Sequence, residues 1–272
     1  FKLFIYYIIN YFIIYLILIF FIIHHIFKQK KNNLKKNILV MFSGGLDSTT
    51  SLYKLLKETN HNIYVHHIKL KDSTDRWKYE LNATYNIIKY LKKIRSFEYS
   101  ESEIYIPLNG NDKLGGSRDD DNTTVLFVAS KIFTVESYKN IDYIVISNLD
   151  CELDEKNKKF MIDFINLMQK NKFSAKKPII YDPLITFNND KCIISEDLII
   201  KIKNICENKR VAEYKNYKIK NNFIKKIICT KKTLYDYLPI ELKNKFVYCR
   251  QPYNNLNCGK CFNCSFYKEI IN

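Results

Sequence analysis

The chain has 272 residues, a length that fits one α/β enzyme core with a small appendage and does not suggest a disulfide-stapled secreted scaffold. Lysine and arginine outnumber aspartate and glutamate by 44 to 28, a formal charge of +16, but the lysines run through the whole chain instead of forming one arginine-bearing stripe. Diffuse charge of this kind, with the excess of Phe, Ile, Tyr, Asn and Lys that A/T-rich codons produce, favours general solubility over a dedicated nucleic-acid surface, which is the less favoured reading.

Residues 3–27 are almost uninterrupted Leu, Phe, Ile and Tyr, and Lys28, Lys30, Lys31, Lys35 and Lys36 come next. At about 1.5 Å per residue such a run spans a bilayer, and the lysines would keep the remainder of the chain on the cytoplasmic side. The alternative is an extended or misassigned start, because the first methionine, Met41, falls inside the strand that comes after them. Both readings stand: a cytoplasmic catalytic domain held to a membrane through 3–27, or the same domain without an anchor. Residues 1–36 are therefore set apart as a hydrophobic segment and basic linker. A nucleotide-binding domain is expected at 37–240 and a cysteine-bearing tail at 241–272.

The apolar run at 37–42 reads as a buried strand, and an amphipathic helix is predicted at 47–58. Between them lies Ser43-Gly44-Gly45-Leu46-Asp47-Ser48-Thr49. Adjacent glycines let backbone approach an anion, and the free amides and dipole of a helix start attract phosphate. Ser43, Ser48 and Thr49 add hydroxyl donors. Asp47 is out of place beside a polyphosphate unless a divalent cation bridges them, and a carboxylate oxygen is a natural Mg²⁺ ligand. The Walker lysine is missing and its spacing is wrong. The candidate nucleotide residues are thus Ser43, Gly44, Gly45, Leu46, Asp47, Ser48 and Thr49, with Asp47 and Ser48 placed nearest the chemistry.

Further strands are predicted at 62–68, 97–106 and 142–148, and helices at 75–93, 123–138, 156–171 and 194–207. The alternation predicts a doubly wound parallel sheet of the α/β class with its ligand at the carboxyl ends of the strands. The heptad, residues 66–69 and residues 147–154 would then share one crevice. His66 and His67 alternate along a strand, so at most one faces a ligand, and core or surface roles are expected for both. Asn109 to Asn122, which holds Asp119, Asp120 and Asp121, reads as a surface loop ending in a helix cap.

Cys249, Cys258, Cys261 and Cys264 form a C-x8-C-x2-C-x2-C cluster with Gly259 after the second cysteine. Four thiolates at this spacing suit a closed tetrahedral zinc site with a structural role. Iron–sulfur centres also use C-x2-C-x2-C runs, but the upstream fourth ligand and the lack of a proline after Cys264 favour zinc. Cys151, Cys192, Cys206 and Cys229 are scattered, without a pairing pattern, and are expected to be free thiols.

The heptad resembles the Ser-Gly-Gly-x-Asp-Ser PP-loop of the N-type ATP pyrophosphatases. With the C-terminal C-x8-C-G-x-C-x2-C it resembles the 7-cyano-7-deazaguanine synthase family over about residues 36–268, and Asp182-Pro183-Leu184 looks like that family's Pro-Leu segment. The family's lysine after Pro-Leu is placed at Lys191, a phosphate-side candidate. Other family landmarks are altered: its Gly-Arg-Asn corresponds to Asp121-Asn122-Thr123-Thr124 with Arg118 upstream, its Asp-Cys-Arg to Glu155-Lys156-Asn157, and its His-x-x-Glu to Arg76–Glu80. The resemblance implies ATP, Mg²⁺ and Zn²⁺ as cofactors, 7-carboxy-7-deazaguanine and ammonia as small-molecule substrates, and an adenylated intermediate on the way to a nitrile. It is compatible with a homodimer. The alternatives are another adenylating PP-loop enzyme acting on tRNA or a modified DNA base, or a non-catalytic zinc-stapled nucleotide-binding module.

Overall fold

The computed structural model describes residues 35–71, 76–105, 118–132, 140–147, most of 159–167, 179–181, 183–184, 195–208, 221–248 and 257–271. The apolar run 3–27 lies outside them. Among the described residues no helix is long and apolar enough to cross a membrane.

Among the described residues five parallel strands form the sheet: β1 (Asn37–Met41), β2 (Asn62–Lys71), β3 (Glu98–Tyr105), β4 (Tyr143–Ile146) and β5 (Ile179–Ile180), in the order β3-β2-β1-β4-β5. The helices are α1 (Leu46–Glu58), α2 (Arg76–Ile94), α3 (Arg118–Ile132), α4 (Glu196–Asn208), α5 (Asn221–Tyr237), α6 (Ile240–Lys243) and α7 (Phe262–Ile271). The described residues between 159 and 167 are also helical.

Side-chain alternation in the strands builds two cores, one on each face of the sheet. Ile38, Val40, Ile63, Val65 and Val145 point to one face, where Leu52 and Leu55 of α1, Ile87 and Leu91 of α2, Ile202 of α4, Ile228 and Leu234 of α5 and Phe266 of α7 cover them. Leu39, Met41, Ile68, Ile144 and Ile146 point to the other, against Leu126, Val128, Ala129 and Ile132 of α3. A strand buried on both faces needs apolar residues at successive positions, as β1 has from Ile38 to Met41, and each such side chain contributes about 1.5–3 kcal/mol on burial. The doubly wound parallel sheet is as expected.

Several boundaries differ from expectation. Helix α3 starts at Arg118, so Asp119, Asp120 and Asp121 occupy its first turn instead of a loop, where the helix dipole favours negative charge. Strand β2 continues to Lys71, because β3 pairs with it as far as Tyr105 and satisfies its backbone beyond the end of β1. Strand β5 and helices α5 to α7 were not anticipated. The cysteine-bearing tail is built into the first core through Phe266, Tyr267 and Ile270. Cys229 is not a free thiol but is held in a disulfide.

The strand order changes direction at β1, with β2 on one side and β4 on the other. That switch point, at the carboxyl ends of the strands, opens a crevice in sheets of this kind. The turn after β1 lies at its mouth.

Candidate nucleotide site and cysteine cluster

Chain leaving β1 is held by its neighbour: the Phe42 amide donates to the His66 carbonyl at 2.8 Å. Ser43 comes next, then Gly44 with φ +75°, a conformation that a side chain disfavours. A Cβ on Gly44 would also stand 2.8 Å from Thr84 Oγ1 of α2, closer than van der Waals contact allows. Both reasons select glycine. Gly45 is the N-cap of α1 and offers no side-chain cap to the helix amides, so the first turn keeps donors and positive dipole for an anion. Ser43 Oγ and Ser48 Oγ share a hydrogen bond of 3.1 Å, and Ser48 Oγ donates to the Gly45 carbonyl at 3.2 Å.

Asp47 sits in that first turn, and Lys231 Nζ on α5 lies 2.6 Å from its Oδ2. The lysine is 6 % exposed. An ammonium leaves water only when attraction and hydrogen bonding to a partner offset its desolvation, so this pair, with Asp47 part-buried, is a built feature of the site. Sequence reasoning missed Lys231, although a signal was present. Ile227, Lys231, Leu234 and Leu238 fall at helical spacing on one stripe, and a lysine inside a buried stripe requires a carboxylate partner. Lys191, the lysine expected on the phosphate side, lies outside the described residues.

The remaining heptad residues divide by burial. Leu46 belongs to the core, and Thr49 is completely buried, its hydroxyl without a hydrogen-bond partner among the described residues. The Thr49 amide is also engaged, donating to the Gly45 carbonyl at 3.0 Å. At the end of β4, Ser147 Oγ is likewise buried without a hydrogen-bond partner among the described residues; residues 148–154 lie outside them. The carboxylate, the serine hydroxyls and the uncapped amides form a hard-oxygen and N–H donor set, and the lysine ammonium already rests on the carboxylate. This chemistry fits a polyphosphate with a divalent cation.

The two histidines of β2 go to opposite faces. His66 Nδ1 and Nε2 bond Ser100 Oγ at 2.8 Å and Ser102 Oγ at 2.9 Å. Burial, with the neighbouring His67, drives the pKa of His66 down to about 4. His67 Nδ1 bonds the Phe42 carbonyl at 2.8 Å, and burial holds its pKa below the ordinary histidine value despite that bond and the charges of Glu80 and Glu101. Arg76 and Glu80 pair across one turn of α2, and Lys71 covers the Trp77 ring at 4.7 Å.

Three of the four expected metal ligands converge. The Sγ atoms of Cys258, Cys261 and Cys264 lie within 4.8 Å of one another, with Cys258 and Cys264 3.9 Å apart. Amides of Lys260 and Cys261 donate to Cys258 Sγ at 3.4 and 3.2 Å, and the Cys264 amide to Cys261 Sγ at 3.5 Å. Gly259, with φ +67°, makes the reversal that brings Cys261 back toward Cys258. The triad fits a thiophilic metal ion. Cys249 lies outside the described residues.

The cluster and the turn are tied together. Val247 pairs with the turn in a parallel bridge to Gly45, its amide donating to the Gly44 carbonyl at 2.8 Å. Tyr79 of α2 donates from its hydroxyl to Asn257 Oδ1 at 2.6 Å, beside Cys258. Tyr248 and Tyr267 stack with centroids 4.9 Å apart.

No protein-family model matches the chain, and no curated protein matches it significantly. Among solved structures it is similar to the U34-tRNA thiolase NcsA from Methanococcus maripaludis, solved with its 4Fe-4S cluster: identity is 17%, the alignment covers 87% of this chain and 82% of that one, and the TM-score is 0.36. A likeness of that size assigns neither substrate nor metal.

Proposed function

We propose that the chain is an ATP-dependent enzyme of the PP-loop type that adenylates a carboxylate, and that its substrate is 7-carboxy-7-deazaguanine, converted with ammonia to 7-cyano-7-deazaguanine. The observation that carries the reading is the part-buried Asp47–Lys231 pair, whose carboxylate sits in the first turn of a helix without a side-chain cap. A site for phosphate alone gains nothing from a carboxylate. A site that must part pyrophosphate from AMP needs a cation ligand and a compensating ammonium.

In this reading the substrate carboxylate attacks the α-phosphorus of ATP and the bond to the β-phosphate bridging oxygen breaks. An acyl adenylate and pyrophosphate result. The amides of the turn, the hydroxyls of Ser43 and Ser48 and the ammonium of Lys231 hold the growing negative charge of the leaving group. Asp47 would hold Mg²⁺ brought in with ATP, and the ion would supply further neutralisation of that charge. Ammonia then displaces AMP and loses a proton, giving the amide. A second ATP adenylates the amide oxygen with release of a second pyrophosphate, and loss of AMP and of both nitrogen-bound protons leaves the nitrile. The cysteines, Cys249 with the triad, hold zinc in a structural role.

The specific acid rests on the sequence resemblance; the adenylation rests on the turn, Asp47 and Lys231. Phosphorus NMR of the protein with ATP, Mg²⁺, ammonia and the acid tests the adenylation. AMP and pyrophosphate are expected, and ADP with orthophosphate would overturn it. Mass analysis of the same mixture tests the acid and should find the nitrile, lighter than the amide by the mass of one water. Pyrophosphate release without amide or nitrile would retain the enzyme class and remove this acid.

A further inference from the structure

We infer that His67 is a positioning residue of the nucleotide turn: its Nδ1–H holds the Phe42 carbonyl back and so turns the Ser43 amide toward the phosphates. The inference rests on the nucleotide reading of the turn and assigns a role to a residue that the heptad does not contain.

In a trans peptide the C=O and the following N–H lie in one plane and point in opposite directions. Anchoring a carbonyl on one side therefore aims the next amide to the other. Two peptides of the turn are anchored in this way. The Phe42 carbonyl is taken by His67 Nδ1 at 2.8 Å, which sends the Ser43 N–H away from β2. The Gly44 carbonyl is taken by the Val247 amide at 2.8 Å, which sends the Gly45 N–H away from the tail, where it makes a long bond of 3.4 Å to Ser43 Oγ. An anion site needs amides outward and carbonyls inward, and left to itself a glycine-rich turn samples both orientations of each peptide. The Val247 clamp is backbone and survives side-chain substitution. The His67 clamp is a side chain and can be removed.

Its proton is fixed by its surroundings. A carbonyl only accepts, so Nδ1 carries the hydrogen and the lone pair is on Nε2. Nε2 is buried with no hydrogen-bond partner among the described residues, so a proton there would be an unsatisfied buried donor. Burial shifts the ring toward the neutral form against the opposing influence of Glu80 and Glu101, with Lys69 acting in the same direction as burial. The other histidine of the strand cannot substitute. Both nitrogens of His66 are engaged by Ser100 and Ser102 on the opposite face.

Binding of ATP, inorganic pyrophosphate and AMP to the full chain, measured by calorimetry, tests the inference in the wild type, His67→Leu and His67→Asn. Asparagine places an amide donor close to the position of Nδ1. In His67→Leu, ATP and pyrophosphate should bind about tenfold more weakly, the loss of one hydrogen bond that aligns a donor, with AMP much less affected. His67→Asn should recover most of the loss. Nitrogen-15 NMR of the wild type should show a neutral ring protonated on Nδ1, and this holds even if the leucine variant does not fold. Unchanged pyrophosphate binding in His67→Leu, equal weakening of all three ligands, no recovery in His67→Asn, or a proton on Nε2 would each overturn the inference while leaving the nucleotide reading intact. A wild type that binds neither ATP nor pyrophosphate would overturn that reading, and the inference with it.

Discussion

Asp47 and Lys231 are 184 positions apart in the chain, and each would be a costly residue in its place without the other. Breaking a buried pair leaves one charge desolvated, at a cost of about 3 kcal/mol. Asp47→Asn, which strands the buried ammonium, should lower the free energy of unfolding by about that amount and Lys231→Met by less, since the part-exposed carboxylate keeps some water, and the double variant should recover most of the loss, because the costs are coupled. Pyrophosphate formation should remain lost in all three. Chemical denaturation beside an activity assay separates the two effects, and a double variant as unstable as the sum of its parts would show that the pair is not coupled. The two positive-φ glycines differ in the same instructive way. Gly44→Ala meets both the φ penalty and Thr84 Oγ1, whereas a Cβ at Gly259 meets nothing within 4 Å. The φ penalty alone is about 1–2 kcal/mol. Gly259→Ala should therefore cost about 1 kcal/mol and Gly44→Ala visibly more, measured by urea unfolding. Equal losses would mean that Thr84 moves aside without cost.

At the scale of elements, β2 does more than fill the sheet. It outruns β1, pairs with β3 from Tyr64 to its end, and carries one histidine to each face. His66 titrates near 6.5 in the unfolded chain and near 4 in the folded one. The folded state therefore disfavours the protonated ring. Stability is complete above about pH 6.5 and falls as pH drops toward 4, by about 3 kcal/mol at most from this group. Urea midpoints of the wild type and His66→Gln at pH 7, 5.5 and 4.5 check this. The variant should lose less stability than the wild type over that interval, whatever its absolute stability, and parallel curves would remove His66 from the acid response. Helix α5 shows the other side of element-level reading. Its apolar stripe was legible in principle, but Lys231 within it, and Thr230 and Lys232 beside it, disguise a buried helix as a polar connection.

For the whole molecule, the tail and the turn share one core, so the cysteine cluster and the proposed nucleotide turn are mechanically connected. Gly44 bonds Val247, Tyr79 reaches Asn257, and Phe266 and Tyr267 of the cysteine-bearing helix pack with Phe246. Metal binding to thiolates stabilises the fold that gathers them. Chelation, or Cys261→Ser, should lower the melting temperature and also weaken pyrophosphate binding, since the Val247 clamp loosens with the tail. Thermal melts and calorimetry before and after metal removal check the pair of effects; a lower melting temperature with unchanged pyrophosphate affinity would show that the tail holds itself and not the turn. Metal analysis should find one zinc per chain in the proposed reading, and a brown, iron-bearing protein would replace it with a cluster.

The sequence by itself determined the parallel α/β sheet, the turn after β1 and the clustering of Cys258, Cys261 and Cys264. Each of these is written locally: alternating burial in a strand, φ and close approach at Gly44, and thiols two residues apart on one reversal. What only the tertiary structure decided are the partners that come from far along the chain. Lys231 meets Asp47 because α5 packs on α1, Val247 clamps Gly44 because the tail crosses the turn, and His67 rather than His66 reaches Phe42 because of the register of β2 on β1. Pair energies of this kind depend on distance in space and on exclusion of water, and neither is a property of any single stretch of sequence.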